Sequence, residues 1–252
     1  MAGLFSIFSG KPKDPDYPEV ADFSSLNTDL HSHLIPGIDD GVKDMEESLR
    51  MIRGFAELGF RKLITTPHIM SDFFRNTPEI ILGGIEKVRQ AVKAANIKME
   101  LGAAAEYYVD EMFLSKVHGE ELLTIGEKKY VLIEISYVNP PENLKQVIFE
   151  MTVRGYIPML AHPERYPFWY EKFEEFHALK EAGVKFQLNL NSLVGYYGLG
   201  AKRAAERMID ENMIEFTGSD LHGDRHLEAL RKVVHEKKFR KLLFSGLLNA
   251  TI

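Results

Sequence analysis

The chain has 252 residues, 45% of them hydrophobic and 27% charged, with a formal net charge of −6 and a pI near 5.9. That length suits one large α/β domain with a sizeable core, and the acidic balance offers no general basic face to nucleic acid. There is no cysteine, which excludes disulfides, thiolate metal ligands and every cysteine-nucleophile mechanism, and no apolar run approaches the length of a membrane span.

Residues 1–25 read as an N-terminal leader and residues 26–252 as the domain. The leader begins MAGLFSIFSG. It has no charged n-region and its apolar part is too short for a secretory signal, so the expected location is the cytoplasm. Leu4, Phe5, Ile7 and Phe8 form a small apolar group that either frays or docks on a partner or a membrane surface. Residues 11–22 hold three of the eleven prolines and read as extended chain. From residue 26, strand-like apolar runs at 26–31, 61–67, 97–107, 130–136, 156–161, 184–191 and 214–219 alternate with amphipathic stretches at 44–58, 78–95, 141–154, 173–182, 201–212 and 226–243. In the first stretch Met45, Leu49, Ile52 and Ala56 recur at helical spacing and Gly59 closes the helix. Pro78 and Pro141 suit first-turn positions. Seven strands alternating with helices predict a parallel sheet. A closed barrel accounts for the pattern better than an open sheet. Chemistry-bearing residues stand at nearly every strand end, whereas an open doubly wound sheet gathers its site at one switch point.

Those residues are His31, His33, Asp40, His68, Glu106, Glu134, His162, Asp220 and His222. The steps 106→134→162 are 28 residues each, and Asn191 and Asp220 follow at 29 and 29, the length of one strand, loop and helix. A barrel of such units points all its strand ends at one face, and His, Asp and Glu without sulfur suit divalent Mn, Zn, Fe or Co. His31 and His33, two apart, share a face of the first strand. Asp39 and Asp40 follow in a tight turn, where acidic residues also serve as helix caps. His68 ends the second run, as ligand or as capped loop residue. Glu106 follows a Gly-Ala-Ala-Ala run that leaves room beside the strand end. Glu134 sits inside Val131-Leu132-Ile133-Glu134-Ile135, where a buried carboxylate needs a compensating cation. His118, His177, His226 and His235 fall in helices or at their edges and read as surface or packing residues. Asp110, Glu111, Glu120 and Glu121 read as a solvated helical face. There is no P-loop, no G-x-S-x-G elbow and no dinucleotide-binding glycine fingerprint.

In order along the chain, HSHLIPGIDDG, TTPH, AAAEYY, IEIS, AHPERY and GSDLHG closely resemble the polymerase and histidinol phosphatase (PHP) superfamily, and within it the bacterial CpsB/CapC/YwqE-type protein-tyrosine phosphatases. The likeness runs from about Leu26 to about Arg231. It implies a distorted TIM-like barrel of seven β/α units and three divalent ions, manganese first among the candidates. Carried onto this chain, one ion falls to His31, His33, Glu106 and Asp220, a second to Glu106, Glu134 and His162, and a third to Asp40, His68 and His222. The expected reaction is attack of a metal-bridging hydroxide on phosphorus. Arg165, and secondarily Arg225, would clamp the phosphoryl group, or else form surface ion pairs. Tyr107, Tyr108, Tyr166, Phe168 and Trp169 either flank a substrate phenyl ring or pack the loops. The resemblance further implies a membrane-bound bacterial tyrosine autokinase of capsule or exopolysaccharide export as substrate, with the enzyme working at the inner face of the membrane. The rival expectations are a histidinol-phosphatase-like small-molecule phosphoesterase, a metal-dependent nuclease, and a binding protein with structural metals.

Overall fold

Nine short strands, all paired in parallel, carry the architecture in the computed structural model, which describes residues 17–119 and 121–252. They are β1 (Thr28–Asp29), β2 (Lys62–Thr65), β3 (His68–Ile69), β4 (Glu100–Ala103), β5 (Glu106–Tyr108), β6 (Tyr130–Glu134), β7 (Ile157–Ala161), β8 (Lys185–Asn189) and β9 (Phe216–Gly218). The helices are α1 (Met45–Glu57), α2 (Pro78–Ala94), α3 (Phe113–Gly119), α4 (Leu144–Val153), α5 (Glu174–Glu181), α6 (Gly198–Asp210), α7 (Asp224–Val233) and α8 (Lys237–Leu243). One sheet runs β1-β2-β4 and the other β3-β5-β6-β7-β8-β9.

The two sheets are one distorted barrel. Two of the seven expected strands are each broken, at Thr66-Pro67 and at Ala104-Ala105. Pro67 has no N–H to give a neighbour, and the Thr66 N–H donates to Ser32 O at 2.7 Å. The breaks stay in step with each other, because Ala104 N–H donates to Thr65 O at 2.9 Å and Glu106 N–H to Pro67 O at 3.1 Å. The seam closes where Asp220 N–H reaches His31 O at 2.7 Å and His33 N–H reaches Leu221 O at 3.0 Å, with Ser32 and Leu221 in parallel bridge register. The α/β barrel expectation therefore holds, with its distortion concentrated at the mouth.

Alternation decides which side chains enter the barrel. Tyr130 and Leu132 of β6, Met159 and Ala161 of β7 and Phe216 of β9 form the inner core with Leu30, Ile64, Ala104 and Ile125. Val131, Ile133 and Leu160 face the helices in the larger outer core. Glu134, two residues past Leu132, is thus committed to the barrel interior at its C-terminal end.

Several local expectations change. The single helix over 226–243 is two, α7 and α8, parted at residues 234–236. Pro78 does open α2 behind the Thr77 cap, but α4 starts at Leu144, so Pro141 lies in the loop before it. Asp110 is half-buried and is no solvated helical face. Its carboxylate accepts from Ser71 N–H at 2.8 Å and Met112 N–H at 2.9 Å, tying two mouth loops together. Glu111 and Glu121 are exposed, as expected of a solvated face, and Glu120 lies outside the described residues. So do Leu4, Phe5, Ile7 and Phe8.

Ahead of β1, Phe23 is fully buried, stacked on Phe60 with ring centroids 4.9 Å apart and tilted against Phe239 at 5.1 Å. Phe23→Ala is expected to cost about 3–5 kcal/mol, read as a lowered urea midpoint at unchanged slope.

Candidate metal centre

The nine residues read from strand ends meet in one pocket at the C-terminal mouth. Three subsets bring ligand atoms within 4.8 Å of one another: His31, His33, Glu106 and Asp220; His33, Asp40, His68 and His222; and His68, Glu106 and Glu134. The first coincides with the first set that the family likeness implies. The second adds His33 to the implied third set. The third has His68 where His162 is implied, although His162 Nε2 lies 3.2 Å from Glu106 and 3.6 Å from Glu134.

Second contacts orient the imidazoles. Gln187 gives its amide N–H to Leu188 O, so its oxygen accepts from His31 Nδ1–H at 2.7 Å. Asp39 accepts from His33 Nδ1–H at 2.8 Å. His222 Nδ1–H donates to Asp220 O at 2.9 Å. Each leaves Nε2 as the nitrogen turned into the pocket. The Nε2 atoms of His31 and His33 stand 3.4 Å apart, an arrangement that favours a cation or proton between them. Glu106 Oε2 lies 3.2 Å from His31, 3.6 Å from His33 and 3.2 Å from His68 Nδ1. Yet that oxygen and His68 Nδ1 are both buried without a hydrogen-bond partner. A buried carboxylate oxygen with several imidazole nitrogens turned toward it and no well-aligned hydrogen bond is the fit expected for a divalent cation, which would displace any proton held there.

The electrostatics agree. Burial, with the Glu106 carboxylate beside it, pushes Glu134 up to about 8. Burial opposes the charged form of His31, but Glu106 and Asp220 outweigh it and lift the imidazole to about 9. Burial, reinforced by Arg165, lowers His162 to about 4, leaving it neutral.

Backbone geometry serves the same end. Ala161 faces the barrel core, so alternation alone would send His162 outward. Its left-handed backbone (φ 33°) turns it back in, and Asp220 is also left-handed (φ 50°). Such conformations are costly outside glycine and persist where their surroundings impose them. Gly218 and Gly41 are needed for space. A Cβ on Gly218 would lie 2.5 Å from His31 Cβ and 2.8 Å from Gln187 Nε2, and one on Gly41 2.4 Å from His33 Cβ.

Arg165 is mostly buried and ion-paired to Asp220 Oδ2, on the side away from the Oδ1 atom that faces His31 and His33. Arg225 is exposed on the first turn of α7 and is not brought into the constellation. Of the two roles left open for the aromatic side chains beside the strand ends, the structure favours loop packing. Tyr107, Tyr166 and Trp169 are buried, and Phe168 stacks on Tyr166. The Tyr166 hydroxyl is used up on Ala161 O and Ile135 N–H. Tyr108 is half-buried on β5. The mouth rings are Tyr137, Tyr196 and Tyr197, from the loops after β6 and β8. Of the histidines set aside, His118, His177 and His235 are exposed, but His226 packs 5.4 Å from His222 and 4.8 Å from Tyr196 at the rim. Gln187 and Asn189 escaped the sequence reading. Their signal was two polar residues two apart on the inward face of β8.

Fold and donor set define a parallel barrel built to hold divalent cations at its C-terminal mouth. The chain belongs to the CpsB/CapC family of capsular polysaccharide synthesis proteins, whose family model matches residues 27–241. It is 29% identical over 194 residues to tyrosine-protein phosphatase YwqE of Bacillus subtilis, covering 77% of this chain and 76% of that one. It is 25% identical over 213 residues to the putative tyrosine-protein phosphatase CapC of Staphylococcus aureus, covering 84% of each. Among solved structures, one chain from the crystal structures of Bacillus subtilis YwqE and Streptococcus pneumoniae CpsB, described as unique metal-dependent tyrosine phosphatases, superposes with a TM-score of 0.76 at 26% identity, over 87% of this chain and 95% of that one.

Two expectations follow. Gly218→Ala should cost roughly 1–3 kcal/mol through overpacking and lower the metal retained on gel filtration; full retention at wild-type stability would contradict the packing argument. The second concerns pH. Glu134 and His31 have folded-state values above the ordinary 4.5 and 6.5. Near neutrality both therefore hold protons that a cation must displace, and both cost the metal-free fold stability as pH rises. The melting-temperature gap between Mn2+-loaded and EDTA-treated protein is expected to widen from about pH 6 to about pH 9.

Proposed function

We propose that this protein is a metal-dependent protein-tyrosine phosphatase that holds three divalent ions, manganese for preference, on His31, His33, Asp40, His68, Glu106, Glu134, His162, Asp220 and His222. The observation that carries the reading is the unpartnered Glu106 oxygen at the focus of three imidazoles, with an arginine at its edge. When bound, divalent ions supply Lewis acidity and a coordinated water of lowered pKa. The chain supplies the rest. Gln187 and Asp39 fix the imidazoles. Arg165 spends one nitrogen on Asp220 and keeps further N–H groups for a phosphoryl oxygen. Buried walls exclude bulk water, which strengthens each charge contact. A phenolate leaves with pKa near 10, so the reaction asks little of a general acid.

A macromolecular substrate fits better than a small ester. Phe73, Met112, Val138, Tyr196 and Leu199 are all exposed on loops or first helical turns that follow strand C-termini, giving the mouth an apolar rim for a protein segment. The relatives' names point to phosphotyrosine. On this reading the physiological target is a bacterial tyrosine autokinase of capsule or exopolysaccharide export, met in the cytoplasm at the inner membrane face. No helix among the described residues is long and apolar enough to cross a membrane.

Mn2+-loaded protein should hydrolyse p-nitrophenyl phosphate and phosphotyrosine peptides, and EDTA should stop it. His33→Ala and His162→Ala should fall to background, and Arg165→Ala should lose roughly a hundredfold in kcat/KM. Faster turnover of histidinol phosphate than of phosphopeptide would move the assignment to the small-molecule branch. Digestion of single-stranded DNA would move it to the nucleases.

A further inference from the structure

Arg165 is held in an unusual way. It stands on a single turn of 3-10 helix, Pro163–Arg165, and among the described residues makes one side-chain hydrogen bond, from Nη1 to Asp220 Oδ2. A long side chain tied at one nitrogen keeps much of its rotational freedom, which suits a phosphate clamp poorly. Two rings from different loops take up that freedom. The guanidinium carbon lies 4.0 Å from the Tyr197 ring centroid and 4.9 Å from that of Tyr137.

Each ring is itself anchored to the proposed ligand network. The Tyr137 hydroxyl donates to Glu134 Oε1 at 2.7 Å. The Tyr197 hydroxyl accepts from Asn189 Nδ2 at 3.0 Å, and the same nitrogen reaches Asp220 Oδ2 at 3.3 Å. Neither ring can withdraw from Arg165 without breaking a contact to a residue that touches or belongs to the cluster. The guanidinium carbon lies over the face of each ring, where the ring quadrupole attracts the cation. The edge of the guanidinium, with Nε and Nη2 otherwise unbonded among the described residues, is left for an anion.

We propose that Tyr137 and Tyr197 are positioning residues, whose ring faces flank the Arg165 guanidinium and hold its free N–H groups toward the phosphoryl oxygen of the substrate. The proposal rests on the phosphatase reading for its ligand, but its geometry can be tested apart from turnover. Both phenols act through Arg165 and do not meet the reacting atoms. The ring matters more than the hydroxyl.

The test uses full-length protein with verified metal content, loaded with Mn2+ for turnover and with diamagnetic Zn2+ for the chemical shift and phosphate binding, because paramagnetic Mn2+ would broaden an Arg165 resonance beside the site beyond detection. Three quantities are measured: the Arg165 Hε chemical shift, the affinity for inorganic phosphate by calorimetry, and kcat and KM for p-nitrophenyl phosphate. In the wild type, Arg165 Hε should be displaced by the ring currents. Tyr197→Leu should remove much of that displacement, weaken phosphate binding roughly tenfold and raise KM more than it lowers kcat. Tyr197→Phe, which keeps the ring, should restore most of the phosphate affinity. Tyr137→Leu, in the other loop, should act in the same direction and serves if Tyr197→Leu does not fold. The proposal is overturned if both leucine variants keep the wild-type shift and phosphate affinity. It is equally overturned if KM for the aryl ester rises while phosphate binding is unchanged, since the rings would then be meeting the substrate's phenyl group. If wild-type protein shows the displaced Arg165 resonance and loses it in Tyr197→Leu, yet hydrolyses no phosphotyrosine, the clamp stands and the phosphatase assignment fails.

Discussion

A buried carboxylate ringed by imidazoles is the constraint on which the rest of the structure depends. Glu106 is fully buried with His31, His33, His68 and His162 around it, and Glu134 and Asp220 share the same pocket. Such a concentration of charge is costly without compensation. The barrel's irregularities make sense as the means of assembling it. The coupled breaks in the second and third strand runs let His68 and Glu106 start new short strands whose register pairs them directly. His162 and Asp220 accept left-handed backbone, and Gly41 and Gly218 give up side chains so that His33 and His31 can stand against them. Strain gathered at one end of a regular fold is the pattern expected where function outweighs local stability.

The surrounding layer matters as much as the ligand atoms. An imidazole offers either nitrogen, and which one carries the proton depends on its other partner. Gln187, Asp39 and the Asp220 carbonyl settle that choice for His31, His33 and His222. Asp39 does more, since its carboxylate also accepts from Gly41 N–H and His68 N–H, pinning the turn and the β3 start to the same anchor. The carboxylate of Asp220 is divided between two tasks, one oxygen facing the imidazoles and the other facing Arg165 and Asn189. Any change at Oδ1 is therefore felt at the guanidinium through a single side chain.

The large features were legible in the sequence because they follow from spacing. Steps of 28 and 29 residues are the length of one β/α unit, and parallel units fix which end of each strand faces the mouth. A His-x-His pair and a carboxylate inside an apolar run carry their own warrant. The strand breaks were less legible, since a continuous apolar run reads as one strand whether or not a proline interrupts its ladder. The split between α7 and α8 has no glycine or proline to announce it. Asp39 was visible in the turn, but Asp40 beside it was equally acidic, and only the fold decides that Asp39 turns inward to His33 while Asp40 stays half-exposed between His68 and His222. The mouth aromatics stayed undecided for a similar reason. Tyr107, Tyr166 and Trp169 flank ligand positions in sequence, but alternation and the 3-10 turns bury them, while Tyr137 and Tyr197 arrive from loops whose paths no periodicity predicts.

The division of labour between barrel and loops bears on how such a site can change over evolution. The ligand set stands mainly on strand ends locked by parallel pairing and by the seam between His31, His33, Asp220 and Leu221, so it can vary little without loss of the cluster. Tyr137, Tyr196, Tyr197 and the exposed Phe73, Met112, Val138 and Leu199 stand on the intervening loops and first helical turns. Apart from Tyr137 and Tyr197, which flank Arg165, these positions carry little of the core's packing and tolerate substitution. A barrel of this kind can therefore keep one hydrolytic centre while its rim is retuned between small esters and protein segments. The loops that carry Tyr137 and Tyr197 are the ones that reach Arg165, so this side chain is where the variable rim meets the fixed centre.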